Sequence, residues 1–175
     1  MKTTARVLVA LAVCLALAAC TKKVKPNEDT NNNNNNSGTD NGAQTNPMAG
    51  DGMYGPGDLD TDACLRQRVV YFDFDQDGLK PEFQAAIACH AKYLRDRPSA
   101  RMTLEGHADE RGTREYNIAL GERRGNGVSA AVQGSGGSGS QITVTSLGEE
   151  RPTCLDSSED CWSKNRRVEI SYSVK

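Results

Sequence analysis

Residues 104–132 constrain the fold of this chain most, because they join a strand to a helix through a charged turn. The strand turns sharply between Gly106 and Gly112 and continues as a helix on which apolar side chains recur at multiples of four residues. The members of this row are Tyr116, Leu120, Val128 and Val132. Arg124 falls in the same row, where its charge is costly unless it is paired internally or awaits a ligand.

The nearest organised supply of carboxylates is the turn that leads into the helix, at Asp109 and Glu110. An anion and a cation held side by side are what a zwitterionic ligand requires. The stretch therefore predicts a site for a zwitterion. A structural ion pair between Asp109 and Arg124 is the alternative interpretation.

The surrounding chain alternates between strand and helix patterns. Val70, Phe72 and Phe74 alternate with Tyr71 and Asp73 in a first strand. The predicted elements are strands over residues 70–74, 101–106, 141–147 and 168–174 and helices over residues 81–97 and 113–133. Their order, β-α-β-α-β-β, predicts an α+β fold in which two helices cover one face of a mixed sheet as a two-layer sandwich.

The N-terminus is typical of an exported lipoprotein. An apolar run over residues 7–18 follows two positive residues, and Leu17-Ala18-Ala19-Cys20 resembles the bacterial lipobox. This pattern predicts a signal peptide over residues 1–19 and acylation of Cys20, with an ordinary secretory signal as the alternative. Because no aspartate follows Cys20, we expect an outer-membrane lipid anchor with the domain facing the periplasm.

Residues 20–58 carry the lipidated cysteine and then almost nothing apolar, including six consecutive asparagines over residues 31–36. Such a composition predicts a disordered linker. The folded domain is then expected over residues 59–175. The formal net charge of the whole chain is −2, which argues against nucleic acid as a partner.

Four of the six cysteines fall within the expected domain. In an exported chain such thiols favour disulfides over metal sites. Cys154 and Cys161 are the favoured pair because both lie in one polar loop, and that pairing leaves Cys64 with Cys89. The alternative is that the thiols are free and buried.

Three separated motifs resemble the OmpA-like C-terminal domain family, and within it the peptidoglycan-associated lipoproteins. They are VYFDFD at residues 70–75, GHADERGTREYNIALGERR at residues 106–124 and SKNRRVEI at residues 163–170. The resemblance implies an outer-membrane lipoprotein that holds the membrane noncovalently to peptidoglycan through meso-diaminopimelate of the stem peptide. It also implies a place in the Tol-Pal system at cell division, with the propeller protein TolB as partner. A wall-binding lipoprotein of the same family outside Tol-Pal is the alternative.

By the same resemblance, Asp109 and Arg124 match the ligand pair of the family. Asp109 is expected to hold the ammonium of diaminopimelate, and Arg124 its carboxylate. Phe74 and Asp75 match further ligand positions, although a core phenylalanine and a turn aspartate are equally compatible with the pattern.

Other polar residues of these motifs are expected to support the fold. Asn117 is interpreted as a tie between the turn and the helix, and Arg111 as a solvated rim charge. Arg166 and Arg167 are expected to brace the fold near the site.

Four positions depart from the family pattern. Ala108 replaces the usual threonine, and His107 is the general OmpA-like residue where the peptidoglycan-associated lipoproteins commonly have asparagine. Gly125 and Gly127 replace residues that are usually alanine, which costs the helix up to about 1 kcal/mol at each position.

Metal binding and catalysis are not favoured by the sequence. Residues 73–78 reproduce the opening of a calcium loop, but its twelfth position is Gln84 rather than a glutamate. His90 and Cys89 are adjacent on a helix and point about 100° apart, so they do not form a catalytic pair. We therefore predict no catalytic residues, no metal and no cofactor.

Overall fold

The computed structural model describes residues 52–173. Its helices are α1 (Asp58–Thr61), α2 (Gln84–Asp96), α3 (Arg114–Gly134) and α4 (Glu159–Asn165), and its strands are β1 (Val69–Tyr71), β2 (Arg101–His107), β3 (Ile142–Gly148) and β4 (Arg167–Ser173). Short 3₁₀ turns precede α2 at Pro81–Phe83 and β3 at Gly139–Gln141.

The four strands form one mixed sheet in the order β1-β4-β2-β3. The β2 strand pairs in parallel with β3 and antiparallel with β4, and β1 pairs antiparallel with β4. The two long helices, α2 and α3, share a single hydrophobic core with the sheet. The α+β sandwich with a mixed sheet, expected from the sequence, is confirmed.

The core follows the periodicity of each element. Met102 and Leu104 on β2 are completely buried, as are Val128 and Val132 on α3. The α3 row therefore faces the sheet as predicted. Tyr116 is the exception, since it is 43% exposed.

The first strand is shorter than the alternation of Phe72 and Phe74 predicts. It ends at Tyr71, and Phe74 is 53% exposed instead of packing in the core. The chain turns away where Asp75 adopts a positive φ of 56°, a conformation incompatible with a continuing strand. The core interpretation of Phe74 is therefore wrong.

Contacts with the domain begin before residue 59. The backbone N–H of Tyr54 donates to Asp96 on α2 at 2.9 Å, and the Tyr54 and Tyr93 rings lie 6.2 Å apart. The predicted signal peptide, Cys20 and the linker up to residue 51 lie outside the described residues. Between residues 52 and 173, none of the helices combines the length and apolar character needed to cross a bilayer.

Two disulfides cross-link the domain in the pairing that the sequence favoured. Cys64 joins Cys89 on α2, with Cα atoms 6.2 Å apart. Cys154 joins Cys161 on α4, with Cα atoms 5.2 Å apart. The second disulfide closes the loop that carries α4.

The β2 strand and the α3 helix approach so closely that only glycine fits between them. A Cβ atom placed on Gly106 would overlap the carbonyl oxygen of Gly121, and one placed on Gly121 would lie 2.8 Å from the carbonyl oxygen of Gly106. The closeness of this contact fixes the start of α3 against the end of β2. The charged turn between them is therefore held at a defined position.

Substitution Gly121→Ala is expected to destabilise the protein by about 1 to 3 kcal/mol, because α3 must move away from β2 to accommodate the methyl group. Gly134→Ala, on the same helix, is the matched control, since a Cβ there meets no atom within 4 Å. The control should change stability by no more than about 1 kcal/mol. Urea unfolding followed by circular dichroism measures both. Equal midpoints for the two variants would contradict the proposed close contact.

Candidate functional site

A pocket of about 200 Å³ opens where the end of β2, the start of α3 and the loop after β1 meet. All four residues predicted as ligand contacts line it: Phe74, Asp75, Asp109 and Arg124. The other lining residues are Ala108, Arg111, Gly112, Tyr116, Asn117, Leu120 and Arg166. The structure thus brings together residues that are up to 92 positions apart in the chain.

Asp109 is the buried anion of this pocket, with only 4% of its surface exposed. Its Oδ1 accepts hydrogen bonds from the backbone N–H and Nε of Arg111, both at 3.1 Å. Its Oδ2 accepts from Nη2 of Arg111 at 2.7 Å and from Nη1 of Arg166 at 3.2 Å. Burial alone would raise the pKa of Asp109, but these hydrogen bonds outweigh it and hold the pKa below its usual value. Asp109 is therefore ionised at neutral pH.

Arg124 is completely buried, and its partners are backbone carbonyls. Its Nη1 donates to the carbonyl of His107 at 2.8 Å, its Nε to that of Gln76 at 2.8 Å, and its Nη2 to that of Asp73 at 3.1 Å. No ion pair joins it to Asp109, so the alternative of a structural ion pair between them is not formed. Burial and the nearby charge of Arg166 lower the pKa of Arg124 to about 10, which still leaves it charged at pH 7.

Arg111 is not the solvated rim charge that the sequence suggested. Its guanidinium is stacked between two aromatic rings, 4.0 Å from the centroid of Phe74 and 4.1 Å from that of Trp162. It also pairs with Asp109 at 2.7 Å and with Glu159 at 3.5 Å. Such sandwiching by two rings restrains a side chain that would otherwise be free in solvent. Arg111 thus forms one wall of the pocket.

Asp75 is the exposed anion at the opening of the pocket. Its carboxylate accepts a hydrogen bond from the hydroxyl of Tyr116. It makes no ion pair with any lysine or arginine within residues 52–173. Its positive φ is uncommon for a residue other than glycine, and such conformations concentrate at binding sites. Asp75 therefore offers a carboxylate that a cation can reach.

The OmpA family matches residues 71–166. The chain is 44% identical over 133 residues to the peptidoglycan-associated lipoprotein of Pseudomonas putida, an alignment that covers 74% of this chain and 80% of that protein. The chain belongs to the OmpA family, within the peptidoglycan-associated lipoproteins.

Two further relatives support this membership. The peptidoglycan-associated lipoprotein of Pseudomonas aeruginosa is 46% identical over 115 residues, which cover 65% of this chain and 68% of that protein. The crystal structure of the peptidoglycan-associated lipoprotein from Burkholderia pseudomallei superposes with a TM-score of 0.65 at 39% identity, covering 66% of this chain and 98% of that one. As a member of this family the chain is not an enzyme.

Three polar residues brace the fold of this lipoprotein as the sequence predicted, and two of them, Asn117 and Arg166, line the pocket. Asn117 donates from Nδ2 to the carbonyl of Asp109 at 3.1 Å and so ties the turn to α3. Arg166 donates to the carbonyl of Phe72 at 3.1 Å as well as to Asp109. Arg167 donates to the carbonyl of Arg151 at 3.2 Å. The prediction that these side chains brace the fold is confirmed.

Trp162 is the site residue that sequence reasoning missed. It lies on α4, and its indole N–H donates to Glu110 at 3.0 Å while its ring stacks on Arg111. The available signal was a lone tryptophan directly after Cys161 in a polar loop. The disulfide between Cys154 and Cys161 restrains the segment that presents this ring.

Proposed function

We propose that this lipoprotein anchors the outer membrane noncovalently to peptidoglycan, and that its pocket binds meso-diaminopimelate of uncrosslinked stem peptides. The observation that carries the proposal is that a buried anion, Asp109, and two buried cations, Arg124 and Arg166, line the same pocket. The family of wall-associated lipoproteins supports the choice of ligand. The outer-membrane anchor at Cys20 is part of the proposal.

The chemistry of diaminopimelate fits these charges. Its free end carries an ammonium and a carboxylate on one carbon. The carboxylates of Asp109 and Asp75 suit the ammonium, and the guanidinium groups of Arg124 and Arg111 suit the carboxylate. Phe74 and Leu120 supply apolar surface for the methylene chain between the two ends. Lysine in the same place of the stem would offer the ammonium but no carboxylate.

Binding requires an exchange of partners at Asp109. Its two oxygens already accept four hydrogen bonds from Arg111 and Arg166, so an incoming ammonium must replace some of them. Arg111 is the donor that can yield, because 30% of its side chain is exposed whereas that of Arg166 is 6% exposed. Stacking on Phe74 and Trp162 would keep Arg111 beside the pocket, within reach of the ligand carboxylate.

Isothermal titration calorimetry with two synthetic stem peptides tests this proposal. One peptide carries meso-diaminopimelate at its third position, and the other carries L-lysine there. We expect the diaminopimelate peptide to bind at least about tenfold more tightly, because a charge-assisted hydrogen bond contributes about 1.5 to 3 kcal/mol. Equal affinities, or no binding of either peptide, would contradict the proposed ligand.

We propose further that the protein acts within the Tol-Pal system in envelope integrity and cell division, with TolB as a partner. Family membership supports this, and a wall-binding role outside Tol-Pal remains the competing proposal. A pull-down with TolB from the same organism, with and without the diaminopimelate peptide, separates the two. Capture of TolB supports Tol-Pal membership, whereas a lack of binding at micromolar concentrations favours the other role.

A further inference from the structure

A second cluster of charged side chains lies on the face of the sheet opposite to the helices. Met102 and Leu104 point into the core, so the alternation along β2 directs Glu105 and His107 to the other face. Glu169 on β4 is the direct partner of Glu105 in the antiparallel register. Two carboxylates therefore face each other across adjacent strands, and only Glu169 has a cationic partner among the described residues, Arg167.

His107 is the buried member of this cluster. It is 2% exposed, and neither of its ring nitrogens has a hydrogen-bond partner within residues 52–173. Its Nε2 lies 4.0 Å from Oε1 of Glu169, so the ring is directed towards the carboxylate pair. Burial favours the neutral imidazole, whose lone pair is available to a metal. A buried imidazole with two unpaired nitrogens calls for a partner that the described side chains do not supply.

The carboxylates retain free oxygen atoms. Arg167 donates a hydrogen bond from Nε to Oε1 of Glu169 at 2.6 Å, and its Nη2 forms an ion-pair contact with the same oxygen at 2.6 Å. Glu105 forms no hydrogen bond or ion pair through its side chain with any residue in the described part of the chain. The carboxylate of Glu105 is thus unpaired, and Arg167 contacts only one of the two oxygens of the Glu169 carboxylate.

We propose that Glu105, His107 and Glu169 form a Zn²⁺ site. One ligand atom from each residue lies within 4.8 Å of the others. Tetrahedral zinc with ligands at about 2.0 to 2.2 Å holds them about 3.4 Å apart. The two half-buried glutamates need only small side-chain rotations to reach that spacing.

The donor set selects zinc over the alkaline-earth ions. One imidazole nitrogen and two carboxylate oxygens are typical zinc ligands and leave a fourth position for water. Calcium needs six to eight oxygen ligands, and magnesium retains most of its water.

The proposed zinc site lies outside the wall-binding pocket, but the β2 strand connects the two. The carbonyl of His107 accepts from Arg124, and Asp109 follows two residues later. Zinc would therefore hold the end of β2 from which the pocket residues project.

The cysteines and the other histidine within residues 52–173, which could compete as zinc ligands, are already engaged. The four cysteines of this part form disulfides. The other histidine of the chain, His90, is fully buried and bonds Tyr172 at 2.9 Å and the carbonyl of Gln67 at 3.0 Å. Saturable zinc binding by the purified protein can thus be assigned with few variants.

The test is calorimetric titration of the chelator-stripped protein with ZnCl₂, and with MgCl₂ as the negative arm. We expect one zinc per protein and no saturable magnesium binding. Glu105→Gln keeps the size and position of the side chain but removes its charge. Mutation of a residue that only hydrogen-bonds to a metal ligand lowers metal affinity about 10- to 100-fold. Loss of a ligand charge in this variant should therefore weaken zinc binding by at least about tenfold.

Glu122→Gln is the matched control, since Glu122 is an exposed carboxylate on α3 and lies outside the cluster. It should bind zinc as tightly as the unchanged protein. Thermal melting provides a second readout, in which zinc should raise the melting temperature of the control but not of Glu105→Gln. The absence of saturable zinc binding, or equal zinc affinity of the two variants, would overturn the proposal.

Discussion

Replacement of Asp109 by asparagine is expected to weaken binding of the diaminopimelate stem peptide by about 10- to 100-fold, as loss of one charge-assisted hydrogen bond predicts. The substitution preserves the shape of the side chain and removes the charge that would hold the ligand ammonium. It also leaves Arg111 and Arg166 without their shared anion. Calorimetric titration measures the affinity, and circular dichroism checks that the variant is folded.

Asp77→Asn is the matched control for this experiment. Asp77 carries the same charge and pairs with Arg123 at 3.0 Å, but it does not line the pocket. The control should bind the peptide normally. If Asp109→Asn bound as tightly as this control, the role of Asp109 as the ammonium partner would be refuted.

Asp109 also links stability to pH. Its pKa in the folded protein lies below the ordinary value, because the hydrogen bonds from Arg111 and Arg166 outweigh the opposing effect of burial. The ion pairs therefore contribute fully above the ordinary aspartate pKa, and their contribution is lost as the pH falls through the lowered value. Asp109→Asn should accordingly reduce the acid sensitivity of unfolding.

Most of the fold could be predicted from the periodicity of apolar residues in the strands and helices. Residues such as Met102, Leu104, Val128 and Val132 repeat at the period of their element, and burial of one face followed from that repeat. The same reasoning failed at Phe74, where the alternation continues in sequence but the backbone of Asp75 turns. A local conformation with positive φ has no signature in the pattern of apolar residues.

The pocket was predictable only in part. The motif that contains Asp109 and Arg124 correctly indicated where the pocket lies. The hydrogen-bond partners of Arg124 are, however, backbone carbonyl groups. Every residue has a carbonyl, so sequence cannot tell which ones a buried arginine will meet. The stacking of Arg111 between two rings could not be predicted for another reason. Phe74 and Trp162 are 88 positions apart and come together only in the folded chain.

Arg124→Ala is expected to destabilise the protein by about 3 to 5 kcal/mol, because it removes the shared donor of three backbone carbonyls together with a large, fully buried side chain. Arg124→Lys should recover little of this loss, because one ammonium group cannot reproduce the spread of a guanidinium across three acceptors. Urea unfolding followed by tryptophan fluorescence measures the change.

Arg123→Ala is the neighbouring control, since Arg123 makes an exposed ion pair with Asp77 that contributes at most about 1 kcal/mol. Similar losses of stability for the two alanine variants would contradict the structural role of Arg124.

The difference in stability between these variants also decides how their peptide-binding data should be interpreted. A loss of peptide binding in Arg124→Ala would combine a missing ligand contact with a weakened scaffold, because the same guanidinium holds the loop after β1 and the end of β2 together. Asp109→Asn keeps that scaffold bond intact and is therefore the cleaner test of ligand recognition.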